Sequence, residues 1–341
     1  MVRDSADAGE RAAAEYVAGR LRGMGLDDIE LQPYRWPRTH VWAQLPHLLA
    51  SLGPLWLRIA SLVSYELDQS GRAQWVQRFL PRGRGLSVIG RVPARGPAKR
   101  TAVLVAHLDA QRTGLIWNRH LTEPGAKRRL ARHAMTPSAL LSVPPLLLRS
   151  RRLKLLGLAL LLDTATSPTV PGANDNASGV AAVLEVVRRV VADPLEDTEL
   201  LAVFPGAEEA GMGGMRAVVE RAAWDPATTF VLGLDTVGSG TPILAEKEGA
   251  LLPHAYREED LERVERAAPG IGRWRIAAYT DPVIARWKGI PSASILSVSP
   301  EHGFYTRYHR MDDVPEHVDL GCVERCADVA EAVARGLANG R

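Results

Sequence analysis

The chain has 341 residues, which is enough for one large domain or two ordinary ones. Hydrophobic residues make up 46% and charged residues 24%, a balance that excludes a disordered chain, a collagen and a coiled-coil rod. A formal net charge of +3 is too small to indicate nucleic-acid binding, and 2 cysteines are too few for a disulfide scaffold.

The first predicted element is an amphipathic helix from Ala6 to Met24, because apolar residues recur there at helical spacing and Gly25 follows. The acidic residues Asp4 and Asp7 lie at its start, which is not typical of a signal peptide. We therefore expect this segment to be part of the fold.

Apolar, strand-like runs then alternate with helical patterns. The strands are predicted at Ile29–Gln32, Leu86–Val92, Thr101–Ala106, Glu199–Phe204, Thr229–Leu234 and Ser292–Ser297. The helices are predicted at Ser178–Val191, Met212–Ala222, Tyr256–Ala267, Pro282–Trp287 and Leu320–Leu337, the last with Cys322 and Cys326 on one face. Runs such as TAVLVA and ELLAVF are apolar throughout, which indicates a sheet that helices bury on both faces. The sequence predicts an α/β fold with three layers, α/β/α, around a mostly parallel, mixed sheet.

Two stretches, residues 38–65 and 114–170, interrupt this alternation and are rich in leucine, proline, tryptophan and arginine. The second is too long for a structureless loop in a compact domain. We predict that both are apolar helical insertions in a single catalytic domain that covers residues 1–341.

Five motifs place acidic or imidazole side chains where a predicted strand ends or a predicted helix begins. In chain order they are AHLDA, PGANDNASG, FPGAEEAG, LGLDTVG and YHRMDD, which contain His107, Asp109, Asp175, Glu208, Glu209, Asp235, Tyr308 and His309. An open α/β sheet brings such positions together along one edge. Each residue alone has an ordinary explanation, such as a helix N-cap for Asp175, and His302 competes with His309.

Three carboxylates and two imidazoles form a ligand set suited to Zn²⁺, with Mn²⁺ or Co²⁺ as possible substitutes. Adjacent carboxylates repel one another, and two divalent ions that share one carboxylate at about 3.5–4 Å separation remove this repulsion. One further carboxylate is then free to move protons. The adjacent pair Glu208 and Glu209 fits such a division between a general base and a ligand.

The order PGANDNASG followed by AEEAGMGG, and the stretch TDPVIARWKGIPSASIL, resemble the M28 zinc aminopeptidases of the co-catalytic metallopeptidase group. The resemblance implies two zinc ions, one held by His107 and Asp235 and the other by Glu209 and His309, with Asp175 bridging them. It also implies a cis peptide between Asp175 and Asn176.

The resemblance further implies that Glu208 is the general base, that Asp109 orients His107, and that Tyr308 is an oxyanion donor. Two features depart from the family. A long insertion separates His107 from Asp175, and Met215 stands where a serine is usual. Neither departure removes a ligand, but the insertion must emerge beside the site and bears on the substrate class.

The predicted activity is removal of N-terminal residues from short peptides by a two-zinc mechanism, with no nucleic-acid partner. A carboxypeptidase or another amidohydrolase could use the same metal pair, and glutaminyl cyclisation uses a related fold with one zinc. A non-catalytic, membrane-associated domain of the same family is the remaining alternative.

The insertions have an unusual charge distribution. Residues 124–162 contain eight basic residues and no acidic one, and residues 41–63 are also free of acids. Leucine, tryptophan and basic residues together are typical of segments that bind membrane surfaces. Each apolar run is too short for a transmembrane helix of about 20 residues. We therefore predict either peripheral membrane contact through residues 38–65 and 124–162, or a lid of two packed helical hairpins.

Overall fold

The computed structural model describes residues 2–122, 145–249, 251–301 and 303–338. These residues form one 9-stranded mixed sheet in the order β1-β2-β4-β3-β5-β9-β6-β7, with β8 paired to β6. The strands are β1 (Ile29–Trp36), β2 (Gly83–Val92), β3 (Arg95–Val105), β4 (Glu196–Phe204), β5 (Thr229–Leu234), β6 (Thr241–Glu248), β7 (His254–Ala255), β8 (Gly272–Ile276) and β9 (Ser292–Val298).

The centre of the sheet is parallel. Strand β3 pairs in parallel with β4 and β5, and β5 pairs in parallel with β9. Strands β1 and β2 are antiparallel on one flank, and β6 runs antiparallel to β9 and β7 on the other. The predicted α/β fold with a mixed sheet is confirmed.

The sequence prediction missed β6, β7 and β8, and it made β1 and β3 too short. Strand β6 ends in the charged sequence AEKE, and β8 reads GRWRI, so neither shows the apolar run of a buried strand. Strand β1 continues through Pro33 because it lies at the edge of the sheet, where proline is tolerated.

Helices cover both faces of the sheet. The described helices are α1 (Ala8–Gly23), α2 (Val41–Ala50), α3 (Leu55–Gln69), α4 (Arg119–Thr122), α5 (Arg151–Thr166), α6 (Gly179–Ala192), α7 (Gly213–Arg221), α8 (Glu258–Ala267), α9 (Pro282–Trp287) and α10 (Leu320–Ala338). One face packs against α1, α6, α8 and α10, and the opposite face packs against α7 and α9. Successive residues of β3 alternate between these two cores, with Ala102 and Leu104 in the first and Val103 and Val105 in the second.

The first insertion is a helical hairpin of α2 and α3, and it extends to Gln69, beyond the predicted limit. The second contains α4 and α5, and α2 packs against both α3 and α5. The basic residues Lys127, Arg128, Arg129 and Arg132 lie outside the described residues. In the part of the chain that the structure describes, no helix combines the length and the apolar character that crossing a membrane requires.

Helix α3 buries polar side chains and exposes apolar ones. Its buried residues are Arg58, Ser61, Tyr65, Glu66 and Asp68. Its exposed residues include Leu55, Trp56, Ile59 and Val63, which are 53–68% exposed. Trp56, Ile59 and Val63 follow one another at helical spacing, so they form one continuous face.

Helix α5 has the same inverted arrangement. It buries Lys154, Gly157 and Thr164, while Leu155 and Leu156 are 66% and 49% exposed. The Lys154 ammonium donates hydrogen bonds of 2.8 Å to the backbone carbonyl and hydroxyl of Ser51 and to the Pro145 carbonyl. The interior of the insertion is therefore held by polar contacts between its segments.

Candidate metal centre

The structure brings all eight residues that the sequence singled out to one edge of the sheet. Each follows the carboxyl end of a central strand or lies in a loop before a helix. His107 and Asp109 follow β3, Glu208 and Glu209 follow β4, Asp235 follows β5, Asp175 precedes α6, and Tyr308 and His309 precede α10. His302, the predicted competitor of His309, lies outside the described residues.

Asp175 lies between the two histidines. Its Oδ1 is 3.3 Å from His107 Nε2, and its Oδ2 is 3.0 Å from His309 Nε2. The backbone amides of Asn174 and Asp175 donate to the carboxylate of Asp313, at 2.8 and 3.1 Å, which fixes the loop. The predicted cis peptide between Asp175 and Asn176 is confirmed.

Two groups of three side chains meet at Asp175. One contains His107, Asp175 and Asp235, the other contains Asp175, Glu209 and His309, and within each group the ligand atoms lie within 4.8 Å of one another. A third group of His107, Glu208 and Glu209 meets the same distance limit. The first two groups share the carboxylate that faces both rings, which is the arrangement a bridging ligand requires.

The chemistry of these side chains fits divalent cations. Glu209 Oε1 and His309 Nε2 are both buried, and neither makes a well-aligned hydrogen bond, although Nε2 lies 3.4 Å from that oxygen and 3.0 Å from Asp175 Oδ2. Burial lowers the pKa of His309, but the Glu209 and Asp175 carboxylates outweigh it and raise that pKa to about 9. Burial, together with the Asp175 charge, raises the pKa of Glu209 to about 7. The carboxylates thus favour positive charge at this position, and imidazole and carboxylate are ligands that zinc accepts.

Asp109 holds two parts of the site together. Its carboxylate accepts hydrogen bonds from the backbone amides of Glu208 and Glu209 at 3.0 and 3.2 Å, and from the Ser5 hydroxyl at 2.6 Å. Its Oδ1 also lies 3.5 Å from His107 Nδ1. Asp109 is therefore placed to fix the orientation of the His107 ring relative to the two glutamates.

Glu208 lies beside His107 at the edge of the cluster. Its Oε2 lies 4.0 Å from His107 Nε2, and the residue lines a cavity that reaches Glu209 and His309. Burial raises the pKa of Glu208 well above its usual range, although His107 acts in the opposite direction. A carboxyl group at the edge of the ligand cluster and in contact with a cavity can exchange protons with a bound molecule.

Both insertions contact the ligand residues. The His40 ring bonds to the backbone carbonyl of Glu209 through Nδ1 at 3.0 Å, and burial lowers the His40 pKa to about 4. The buried Trp117 ring lies edge-on to His309, with ring centroids 4.2 Å apart. The Tyr308 ring stacks on the His309 ring, with centroids 3.7 Å apart, and also lies edge-on to Trp117. Sequence reasoning missed His40 and Trp117, because both belong to stretches without a recognisable motif.

Asp281 is a further acidic residue at the site that sequence reasoning missed. It is 3% exposed, and neither of its carboxylate oxygens has a hydrogen-bond partner. Burial raises its pKa well above the usual range, with further increases from the charges of Asp109 and Asp235. Its position before Pro282 at the start of α9 suggests an ordinary N-cap, but no capping hydrogen bond is present.

The chain is similar in sequence to one peptidase family and in structure to several solved proteins. The sequence profile of peptidase family M28 matches residues 161–334, just over half of the chain. A leucine aminopeptidase precursor from Bacteroides thetaiotaomicron has a similar structure, with a TM-score of 0.59 and 17% identity over 98% of this chain and 91% of that chain. A search of curated protein sequences finds no match.

Two further solved structures have the same fold. A glutaminyl cyclase from Bacteroides thetaiotaomicron has a TM-score of 0.60 and 18% identity over 98% of this chain and 92% of that chain. A zinc aminopeptidase from Bacillus subtilis has a TM-score of 0.58 and 15% identity over 97% of this chain and 90% of that chain. At these identities the similarity concerns the fold.

Proposed function

The chain belongs to peptidase family M28, and on that premise we propose that it is a two-zinc aminopeptidase that removes N-terminal residues from short peptides. One observation carries the proposal: each carboxylate oxygen of Asp175 faces a different histidine, at 3.3 and 3.0 Å. A single carboxylate in this position can serve two ions.

In the proposed site, His107 and Asp235 would hold one zinc, Glu209 and His309 would hold the other, and Asp175 would contribute to both. When bound, the ions polarise the scissile carbonyl and make water a stronger nucleophile near neutral pH.

The remaining residues have separate roles in the proposal. Glu208 takes a proton from the attacking water and delivers it to the leaving amine. Burial raises the pKa of the Tyr308 hydroxyl well above its usual range, so Tyr308 stays neutral and can donate a hydrogen bond to the developing oxyanion. Asp109 positions His107 and the backbone of Glu208.

Cyclisation of N-terminal glutamine is a second candidate, because one protein of similar structure is a glutaminyl cyclase. Retention of all five ligand positions favours the two-zinc peptidase. A carboxypeptidase on the same metal pair remains the nearest hydrolytic alternative.

The test combines metal content with a substrate panel. We expect about two equivalents of zinc per chain after reconstitution, and release of the chromophore from aminoacyl anilides that chelation abolishes and Zn²⁺ or Co²⁺ restores. An N-acetylated anilide is the control, since an aminopeptidase requires a free α-amine. Ammonia release from glutaminyl peptides without anilide hydrolysis would indicate the cyclase, and only trace metal after reconstitution would contradict both.

The insertions form a lid over this site in our proposal. His40 and Trp117 contact Glu209 and His309, and the cavity beside them has a volume of about 110 Å³. A cavity of this size admits roughly one side chain, since about 150 Å³ accommodates a benzene molecule. Such a lid limits the substrates to short peptides and restricts access by folded proteins.

We further propose that the outer face of the lid binds an anionic membrane surface. Trp56, Ile59 and Leu155 are more than half exposed, at 68%, 53% and 66%. Arg151 and Arg152 are exposed at the start of α5, beside its exposed leucines. Apolar side chains that enter the headgroup region, flanked by arginines that meet anionic lipids, form an interfacial binding surface.

A further inference from the structure

A buried carboxylate of the first insertion opens into the cavity of the metal centre. Asp68 lies in the last turn of α3, is 1% exposed, and lines the same cavity as Glu208, Glu209 and His309. Its Oδ2 accepts a hydrogen bond of 3.3 Å from Gln77, and its Oδ1 has no partner.

Among the described residues, no cationic side chain forms an ion pair with Asp68. The carboxyl end of α3 carries the negative end of the helix dipole, which disfavours an anion there. Burial raises the pKa of Asp68 to about 7, although Gln77 and Arg216 act in the opposite direction.

Arg216 does not form an ion pair with the Asp68 carboxylate. Its guanidinium donates to Gln74 Oε1 at 2.8 Å and to the backbone carbonyl of Gly71, and it lies 3.7 Å from the Glu220 carboxylate. These contacts hold the Arg216 guanidinium beyond ion-pair distance of Asp68. A buried, uncompensated carboxylate is costly for folding, so a ligand that supplies the missing charge is a direct explanation for it.

The surroundings of Asp68 favour a ligand that donates hydrogen bonds. Gln77 Oε1 is buried, 2% exposed as a residue, and also has no donor. Gln44 and Gln69 line the same cavity, and among the described lining residues there is no lysine or arginine. Ammonium and guanidinium groups carry several N–H donors and no acceptor, which is the complement of two unpartnered acceptor oxygens.

The position of Asp68 separates it from the reacting atoms. Asp68 belongs to none of the three groups of side chains that could hold a metal ion, and its carboxylate is hydrogen-bonded to Gln77 instead. The α-amine of a substrate is one carbon from the scissile carbonyl and must lie beside the metal ligands. A longer side chain of the same residue can reach a second wall of the cavity.

We propose that Asp68 is a specificity-determining residue that binds the cationic side chain of an N-terminal lysine or arginine. The inference rests on the proposed aminopeptidase function. Asp68 and Gln77 would accept hydrogen bonds from the ammonium or guanidinium group while the peptide bond lies at Glu208.

Arginine and citrulline give the sharpest test, because the two side chains have nearly the same shape and only arginine is charged. We expect the zinc-loaded wild type to cleave the arginyl anilide roughly 10–100-fold better in kcat/KM than the citrullyl anilide, as for a charged hydrogen bond. Asp68→Asn keeps the shape and the acceptor for Gln77, so it should bring the ratio close to one while leucyl anilide cleavage changes little.

The matched control is Glu66→Gln. Glu66 is also a buried acid of α3 with one unpartnered oxygen, Oε2, but its Oε1 accepts a hydrogen bond from Tyr279 at 2.5 Å and lies 3.2 Å from the His254 ring. This variant should retain the preference for arginine. If Asp68→Asn lowered kcat/KM equally for the arginyl, citrullyl and leucyl anilides, the proposal would be contradicted. Such a result would mean that Asp68 contacts the α-amine of the substrate or stabilises the packing of the lid.

A binding measurement separates this inference from the proposed function. Calorimetry measures the affinity of the zinc-loaded Glu208→Gln protein for argininamide and for citrullinamide, with and without the additional change Asp68→Asn. This measurement does not depend on turnover. Argininamide binding that is lost in the Asp68→Asn protein supports the inference even if no anilide is cleaved. Cleavage of leucyl anilide with equal affinity for both amides would leave the aminopeptidase standing and overturn the role of Asp68.

Discussion

Helices α6 and α3 differ in which of their faces they turn toward the protein interior. Helix α6 buries Val183, Val186 and Val187 against the sheet, in the usual manner of a globular domain. Helix α3 buries Arg58 and Asp68 and exposes apolar side chains. The sheet thus has an apolar core between its helices, whereas α3 turns polar side chains inward and apolar side chains outward.

The sheet and the insertion contribute different things to the site. Apolar packing of the sheet positions four of the candidate ligand and base residues, because His107, Glu208, Glu209 and Asp235 each follow a strand that is buried on both faces. The polar interior of the insertion supplies hydrogen-bonding groups to the cavity, where an apolar interior could offer only shape. The cost is an exposed apolar surface on α3 and α5, which in our proposal binds a membrane.

The largest expected effect concerns the catalytic side of the comparison. Glu208→Gln should lower kcat by roughly 10²–10⁴-fold because it removes the proton carrier. Zinc content measured by elemental analysis should stay at the wild-type value. The matched variant Glu209→Gln should instead lose about one equivalent of zinc, since Glu209 belongs to a ligand group. Near wild-type turnover of Glu208→Gln would refute its role as the base.

The same substitution in the two regions sharpens the contrast in packing. Val186→Ala removes a fully buried side chain from α6, and we expect it to lower the free energy of unfolding by about 2 kcal/mol. Val63→Ala removes a side chain that is 54% exposed on α3, and the change should stay within about 0.5 kcal/mol. Chemical denaturation measures both, and equal losses would mean that α3 is packed like the core.

The exposed face of the insertion is tested by Trp56→Ser. Because Trp56 is 68% exposed, its loss should leave the unfolding free energy nearly unchanged while co-sedimentation with anionic liposomes weakens roughly tenfold. Tyr16→Ser is the control, since Tyr16 is 61% exposed on α1, which packs against the sheet and lies outside both insertions. Equal binding by both variants and the wild type would remove the membrane interpretation and leave the lid.

The smallest expected effect is electrostatic. Arg151→Gln should weaken liposome binding by about fivefold, since a basic residue near an anionic surface contributes about 1 kcal/mol. The difference from the wild type should shrink as salt is added, because salt screens exposed charges. Arg20→Gln, on α1, is the matched control, and a salt-independent difference would contradict the electrostatic contribution.

The sequence predicted the parts of the molecule in which local pattern and fold agree. Strand β5 and the end of β3 are apolar, so both were predicted as buried strands. The motifs around Asp175 and Glu208 predicted that eight residues would lie at one edge of the sheet, where the structure places them. Strand β8 was missed because the alternation in GRWRI is too short to stand out from loops.

The remaining site residues could not be found from sequence, because their significance depends on burial. Asp68 is one acid among several in a helical segment, and its unpartnered oxygen appears only when α3 folds over the cavity. Asp281 has the same difficulty, since an acid before proline usually caps a helix. The inverted polarity of α3 was also hidden, because apolar periodicity predicts a helix without stating which face is buried.

Residues from near both ends of the chain stabilise the candidate ligand cluster. Ser5 bonds to Asp109, and Asp313 bonds to the backbone of Asn174 and Asp175. These contacts exist only in the completed fold, so zinc that binds the native chain preferentially also adds to its stability. Cellular zinc supply would then set how long the polypeptide survives proteolysis, as well as how fast it works.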